Sequence, residues 1–239
     1  MRRLVVDGEP FQTDGTVLLD AQTHHYVTNV LRLAAGDSVE VADGTGTLWQ
    51  GQLAWVGGLA RVHELRVIRR AEDQTRLVLV AALLKGNRWE WLLEKATELG
   101  VHTIQPVSAA RSIVKMDMRE VTDRTARWQK IADAAMQQSQ GLLRTTVLPV
   151  KSLDAALQSS DGLRLVADEK QTASAWPPFD AQTSVQMYVG PEGGWTDQER
   201  ATMTRHGVQG VGLGSRILRA ETAGIAMLSG ARLRLDGVL

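Results

Sequence analysis

The chain has 239 residues, of which 44% are hydrophobic and 23% are charged, as is typical of a globular protein with one large or two small domains. It contains no cysteine, which excludes disulfides, zinc–thiolate sites and thiol nucleophiles. The 27 basic and 27 acidic residues balance, so nucleic acid would have to be bound by local basic patches rather than by the overall charge.

Residues 1 to about 70 have the pattern of a small β-barrel. Short runs rich in β-branched residues alternate with turn signals such as Asp14-Gly15 and Gly57-Gly58. The predicted strands are Thr16–Leu19, Ser38–Ala42, Thr47–Trp55 and Ala60–Ile68, and one helix is predicted over His24–Arg32. A basic pair at residues 69–70 followed by polar residues indicates a linker, which predicts one domain over residues 1–72 and a second over 73–239.

The second domain alternates strands and helices, which is typical of a mostly parallel α/β sheet. The predicted strands are Leu77–Leu84, Thr103–Val107, Leu163–Ala167, Ser184–Val189 and Val211–Gly214. The predicted helices are Asn87–Leu99, Val121–Gln140, Asp197–His206 and Ala220–Leu235.

A glycine-rich loop, Gly190-Pro-Glu-Gly-Gly194, follows the strand that ends at Val189. Thr196 with Glu199 three residues later forms a capping box, which predicts a helix start directly after the loop. Open α/β sheets bind small ligands where a strand ends in such a loop at a helix N-terminus. The alternative is a purely structural turn, and the loop alone does not decide between them.

A second loop ahead of a helix, Leu213–Ala223, contains Gly214 and three charged residues. Arg216, Arg219 and Glu221 are the only charges between Gly207 and Ala231, and such a polar trio in an apolar stretch is either buried and paired or functional. The six arginines between residues 200 and 235 also give a local basic surplus suited to phosphate contact. The two loops could together hold one elongated ligand, or could be unrelated strand–helix turns.

Several classes of site are missing from the sequence. The five histidines have no metal-ligand spacing, so we expect no metal. Neither a P-loop nor a GxGxxG fingerprint is present, which argues against a nucleoside triphosphatase or a nicotinamide enzyme. Without an apolar run of about 18 residues or a signal peptide, we expect a cytoplasmic protein that does not enter a membrane.

The loop Gly190–Trp195 together with Leu213–Ala223 resembles the RsmE family of SPOUT-class methyltransferases, which modify 16S ribosomal RNA of the small subunit. The resemblance extends over the whole chain. His24-His25 with Val30-Leu31-Arg32 resembles the family's N-terminal signature, and Lys85–Val101 resembles its central one.

This resemblance implies a PUA-like β-barrel that binds RNA, and a C-terminal α/β domain with a deep trefoil knot. It implies a homodimer that transfers a methyl group from S-adenosylmethionine to N3 of a uridine near the decoding site of the 30S subunit. The glycines of both loops would then hold the cofactor through their backbone, with apolar walls from the second loop and a contribution from the strand that ends at Ala167. The predicted cofactor-binding residues are Leu165, Val166, Gly190, Pro191, Glu192, Gly193, Gly194, Leu213, Gly214, Ile217 and Leu218.

Methylation of N3 requires an unpaired base and either removal of the N3 proton or stabilisation of the resulting anion. A cation beside the uracil oxygens favours the anion, and we predict Arg219 for this role, with Arg216 second. Glu221 would orient an arginine or accept the proton, and Glu192 is an alternative acceptor. For each glutamate, an ion pair that only fixes its loop is the competing interpretation.

The predicted RNA contacts in the barrel are Arg2, Arg3 and Arg32. One segment departs from the family: Gln137 stands where an acid is expected, and the next arginine, Arg144, follows a lengthened loop. Two other functions remain open, namely an RNA-binding assembly factor without catalysis and a related enzyme that acts on tRNA or on a ribose hydroxyl.

Overall fold

A computed structural model describes residues 2–6, 11–71, 75–112, 118–158, 162–170, 176–179 and 184–238 of the chain. The chain forms two compact units, residues 1–72 with 136–144 and residues 73–135 with 145–239. The predicted domain boundary between residues 72 and 73 lies outside the described residues.

The first unit is built on a five-stranded sheet with the strand order β1-β3-β4-β5-β2. The strands are β1 (Arg2–Val5), β2 (Val17–Leu18), β3 (Ser38–Ala42), β4 (Thr47–Val56) and β5 (Leu59–Arg70). Their alternate side chains form a fully buried core that includes Leu4, Val39, Val41, Leu53 and Val62. β1 was not predicted, because its sequence Arg-Arg-Leu-Val has no alternation of its own, and it pairs in parallel with β3.

The helical segment of the first unit differs from the prediction in its start and in its form. α1 spans Ala21–His25 and begins at Asp20, whose side chain accepts a hydrogen bond from the Thr23 N–H. It continues as a π-helical turn over Tyr26–Val30. The predicted start at His24 missed this cap and the first turn.

The second unit is a seven-stranded sheet with the order β12-β10-β11-β6-β7-β8, in which β9 also pairs with β7. The strands are β6 (Leu77–Ala82), β7 (Thr103–Ser108), β8 (Thr146–Val147), β9 (Lys151–Ser152), β10 (Leu163–Ala167), β11 (Val185–Val189) and β12 (Gln209–Val211). The helices are α2 (Asn87–Glu98), α3 (Met118–Ser139), α4 (Leu153–Leu157), α5 (Asp197–Arg205) and α6 (Ala220–Leu235).

All pairings described for this sheet are parallel, which confirms the predicted mostly parallel α/β sheet. β8, β9 and α4 were not predicted, since they are too short to show a periodicity. β12 ends at Val211, where the prediction had a strand beginning.

Side chains alternate across the sheet and bury two separate clusters. Leu79 and Met187 lie in the cluster that includes residues of α2, α3 and α6. Val80 and Tyr188 lie in the other cluster, with residues of α4 and α5. α6 packs closely against α2, as is shown by the 2.9 Å that would separate a Cβ atom at Gly224 from Leu92 Cδ1. Within the described ranges, none of the helices has both the length and the apolar character needed to cross a membrane.

Candidate functional site

The first glycine loop is a tight turn at the carboxyl end of β11. The Gly194 N–H donates to the Pro191 carbonyl at 2.8 Å, and Gly194 has a φ of 66°, which strains any other residue type. The capping box predicted from Thr196 and Glu199 is confirmed at the start of α5. The loop therefore passes directly into a helix N-terminus.

Neighbouring strand ends hold this loop from two sides. The Lys85 N–H, just after β6, donates to Glu192 Oε1 at 3.0 Å. Arg111, just after β7, donates from Nη1 to the Gly193 carbonyl at 2.9 Å. A Cβ atom at Gly193 would lie 3.3 Å from Arg111 Cβ, so the close approach favours glycine. The loop is thus fixed by its surroundings as well as by its own turn.

The second loop follows β12 and leads into α6. Gly214 has a φ of 103°, and a Cβ atom there would meet no atom within 4 Å, so the backbone is open on that side. Leu213 and Leu218 pack partly buried against the core, whereas the Ile217 side chain is 87% exposed. Arg216 and Arg219 are exposed, and Glu221 in the first turn of α6 is buried.

One arginine, Arg88 in the first turn of α2, contacts acids from both loops. Its Nη1 lies 3.7 Å from Glu192 Oε1, and its Nε lies 3.8 Å from Glu221 Oε1. The other oxygen, Glu221 Oε2, is buried and has no hydrogen-bond partner among the described residues. The two predicted loops are therefore brought together, and Glu221 Oε2 beside them is a buried acceptor without a described donor.

An open groove of about 620 Å³ adjoins these residues. It is lined by Asn87, Arg88, Trp91, Ile217, Leu218, Arg219, Glu221 and Thr222. Neither α2 nor α6 has a side-chain cap at its N-terminus, which leaves backbone N–H groups of the first turns for polar ligand atoms. The α2 residues were not predicted, although Arg88 and Trp91 are three residues apart on one helix face and Trp91 is 44% exposed.

Most arginines of the basic surplus between residues 200 and 235 are engaged elsewhere. Arg200 contacts Asp168 and Glu169, and Arg205 donates to Thr202. Arg232 donates to the carbonyls of residues 99 and 100, and Arg234 to those of residues 176 and 177. Arg216 and Arg219 have no described ion-pair partner, so the predicted basic patch is reduced to these two in the described structure.

A second charged cluster lies at the carboxyl end of β10. Arg200 Nη1 contacts Asp168 Oδ1, and Nη2 is 2.9 Å from Glu169 Oε1. Nearby, Lys170 Nζ donates to Asp197 Oδ1 at 3.0 Å, and this hydrogen bond lowers the pKa of Asp197 from its usual value.

The two cofactor-binding residues predicted in β10 belong to the core, since Leu165 is fully buried and Val166 is 6% exposed. A ligand could reach these two residues only at their backbone or at the strand end.

The arginines predicted to contact RNA have different surroundings. Arg2 and Arg32 are exposed. Arg3 donates from Nε and Nη2 to Glu40 Oε2 at 3.0 and 2.9 Å, so a phosphate would have to compete with that carboxylate. The basic pair at residues 69–70, which was predicted to begin a linker, instead ends β5, where residues 66 to 70, Arg-Val-Ile-Arg-Arg, are all exposed.

The segment that departs from the family pattern belongs to the first unit. Gln140 has a φ of 59°, and the Arg144 N–H donates to the Gly44 carbonyl at 2.8 Å. A bridge between Thr45 and Leu143 joins the same two segments. The lengthened loop is thus anchored to the turn between β3 and β4.

The family model described as an RNA methyltransferase domain matches residues 71–232, and the one described as an RNA methyltransferase PUA domain matches residues 19–55. The chain belongs to the RsmE family. The family predicted from the two loops is therefore confirmed. The ribosomal RNA small subunit methyltransferase E of Synechocystis is 33% identical over 229 residues, which cover 92% of this chain and 74% of that protein.

Two further relatives support the same assignment to the RsmE family. The ribosomal RNA small subunit methyltransferase E of Bacillus subtilis is 31% identical over 227 residues, covering 90% of this chain and 88% of that protein. The crystal structure of the Neisseria gonorrhoeae enzyme bound to S-adenosyl methionine is 29% identical, has a TM-score of 0.81, and overlaps 98% of both chains. The cofactor predicted from the sequence is the one that this solved structure contains.

The residues of the two loops fit such a cofactor. The backbone at Gly193 and Gly214 is exposed, and the space beside Gly214 would accept a ligand atom where other residues carry Cβ. Leu213 and Leu218 offer apolar surface beside the two loops.

Proposed function

We propose that this chain is an S-adenosylmethionine-dependent methyltransferase that methylates N3 of a uridine in 16S ribosomal RNA near the decoding site. Family membership supports the reaction class and the small-subunit RNA substrate. The observation that carries the chemistry is that Glu221 lines a groove with two arginines, and that its Oε2 has no hydrogen-bond partner among the described residues.

S-adenosylmethionine, when bound, supplies a methyl group on a sulfonium centre. The backbone of Gly190–Gly194 and Gly214 would hold it, with Leu213, Ile217 and Leu218 as apolar contacts. No phosphate-binding role is needed for these loops, because the cofactor is a nucleoside without phosphate. Glu192 stays with its own loop, since its Oε1 already accepts the Lys85 N–H.

The groove residues suit an unpaired uracil. The exposed Trp91 offers a face for stacking, which stabilises single-stranded bases. Glu221 would accept the N3 proton, while the electron pair of the broken N–H bond remains on the ring and its charge spreads to O2 and O4. Arg219, with Arg216 second, would stabilise that charge.

Glu221 is a better candidate for the acceptor than Glu192. Both lie beside Arg88, but only Glu221 lines the groove. Glu192 already accepts a backbone hydrogen bond, which supports a structural role. Of the two interpretations that the sequence left open for each glutamate, we therefore propose catalysis for Glu221 and fixation of its loop for Glu192.

The first unit would bind RNA backbone. Arg2 and Arg32 remain candidates, and Arg3 is a weaker one because of its ion pair with Glu40. The exposed end of β5 adds Arg69 and Arg70, and also Arg66, whose guanidinium donates to Gln50 Oε1. Contacts to phosphate would make binding fall steeply with added salt.

The remaining expectations are a PUA-like barrel in the first unit, a trefoil knot in the second unit, a homodimer and a cytoplasmic location. Light scattering of the purified protein tests the dimer, and a monomeric mass at working concentrations would contradict it.

The decisive experiment incubates the protein and labelled S-adenosylmethionine with 30S subunits, free 16S RNA and tRNA, and then maps the methylated atom. We expect label at N3 of one uridine in 16S RNA. Label only in tRNA or on a ribose would overturn the assignment. Calorimetry that finds no binding of S-adenosylmethionine would instead favour a non-catalytic assembly factor.

A further inference from the structure

Arg88 connects the two loops of the site, although nothing in its local sequence indicates such a role. Among the described ion pairs it is the residue that faces both Glu192 and Glu221, at 3.7 and 3.8 Å. Glu192 lies in the loop after β11, and Glu221 lies in the first turn of α6. Because one guanidinium attracts carboxylates from two separate segments, its position affects the placement of both.

The two oxygens of the Glu221 carboxylate have different surroundings. Its side chain is 10% exposed, and Oε1 is the oxygen that faces the Arg88 Nε. Oε2 is buried without a described hydrogen-bond partner. An unsatisfied buried acceptor is unfavourable, and a hydrogen-bond donor from a ligand would offset that cost. The attraction between Arg88 and Oε1 therefore leaves Oε2 as the oxygen without a described donor.

We propose that Arg88 is a positioning residue that orients Glu221 for proton acceptance and holds the Glu192 loop beside α6. This inference rests on the proposed function. Without Arg88, the Glu192 and Glu221 carboxylates would lose their shared cation, and their like charges would repel. Glu221 would then turn away from the position that the uracil imide requires.

The same ion pairs contribute little to stability. The Arg88 side chain is 46% exposed, and both distances exceed those of hydrogen bonds. An effect of Arg88 on methylation should therefore occur without a matching loss of folding stability. This separates a positioning role from a purely structural one.

The test measures single-turnover methylation of 16S RNA by Arg88→Ala, Arg88→Lys and Arg124→Ala. A displacement of a reacting group by about 1 Å can cost about 10²-fold, so we expect Arg88→Ala to be between about 10-fold and 100-fold slower. Arg88→Lys should recover part of the rate. Arg124 is the matched control, because it is 44% exposed and pairs with Glu120 at 2.8 Å.

Guanidinium ions should accelerate Arg88→Ala, since the groove is open to small solutes, whereas the uncharged analogue urea should not. The dissociation constant for S-adenosylmethionine should change less than the rate does. A wild-type rate in Arg88→Ala overturns the proposal. So does a slow variant that neither lysine nor guanidinium restores, or a loss of cofactor binding as large as the loss of rate.

Failure of the proposed function would be visible separately, as wild-type protein that methylates none of the RNAs. In that case hydrogen–deuterium exchange decides the role of Arg88. Faster exchange in both 190–194 and 213–222 in Arg88→Ala, but not in Arg124→Ala, would support the connection. Unchanged exchange in these segments would overturn it.

Discussion

Two arginines of the second unit each lie between two carboxylates, and they are held very differently. Arg200 is 15% exposed and contacts Asp168 and Glu169 directly, with one of the two distances at 2.9 Å. Arg88 is 46% exposed, and its two ion pairs measure 3.7 and 3.8 Å. One cluster is closed and hydrogen-bonded, and the other is open.

Each cluster also contains a buried atom without a described hydrogen-bond partner, Nε of Arg200 and Oε2 of Glu221. Only Glu221 lines the groove of about 620 Å³. A closed cluster fixes the backbone, whereas an open one leaves a charged group available to a ligand. The comparison therefore supports a structural role for Arg200 and is consistent with the chemistry proposed beside Arg88.

The largest expected effect is on Glu221. Glu221→Gln removes a proton acceptor at nearly constant volume, so we expect single-turnover methylation to fall about 10²–10⁴-fold. Glu192→Gln keeps an oxygen for the Lys85 N–H and should lose less than about 10-fold by the same scale. If Glu192→Gln is the slower variant, the roles of the two acids are reversed.

The next effect concerns Arg219. Arg219→Ala removes the cation predicted beside the uracil oxygens, and loss of one such stabilising group typically costs about 10²-fold in rate. Arg216→Ala should cost less, since Arg216 does not line the groove. Quench-flow measurement under single-turnover conditions checks both. A wild-type rate for Arg219→Ala would remove it from the mechanism.

For the free energy of unfolding we expect the opposite order, with a larger loss from the substitution in the Arg200 cluster than from the one at Arg88. Arg200→Ala leaves Asp168, which is 14% exposed, without its cation, and we expect a loss of about 3 kcal/mol in the free energy of unfolding. Arg88→Ala should lose less than about 1 kcal/mol, as exposed pairs do. Urea unfolding measures both values. Equal losses in the free energy of unfolding would contradict the distinction between a closed and an open cluster.

The smallest effect is expected at the edge of the Arg200 cluster. Lys170 and Asp197 are 64% and 90% exposed, so Lys170→Ala should leave the urea midpoint at neutral pH unchanged. The pKa of Asp197 is lowered in the fold, so any contribution is present above pH 3.8 and is lost as the pH falls further. A clear shift at pH 7 would show that the cluster extends to this pair.

Much of the site was accessible from local sequence. Gly194 needs a left-handed backbone, Thr196 and Glu199 cap a helix, and both features depend on residues that are neighbours in the chain. The motifs of the two loops also identified the family. The predicted basic surplus was less informative, because arginines such as Arg232 donate to backbone carbonyls that sequence does not place nearby.

The sequence by itself determined the parallel sheet, the two glycine loops and the family, because periodicity, caps and glycine turns are local properties. Only the tertiary structure placed Arg88 between Glu192 and Glu221, left Glu221 Oε2 without a partner among the described residues, and engaged Arg200 with Asp168. These contacts join segments that are distant in the chain and meet where parallel strands end at one edge of the sheet. That packing brings the charged side chains together, and the local sequence around each of them does not indicate which residues will meet.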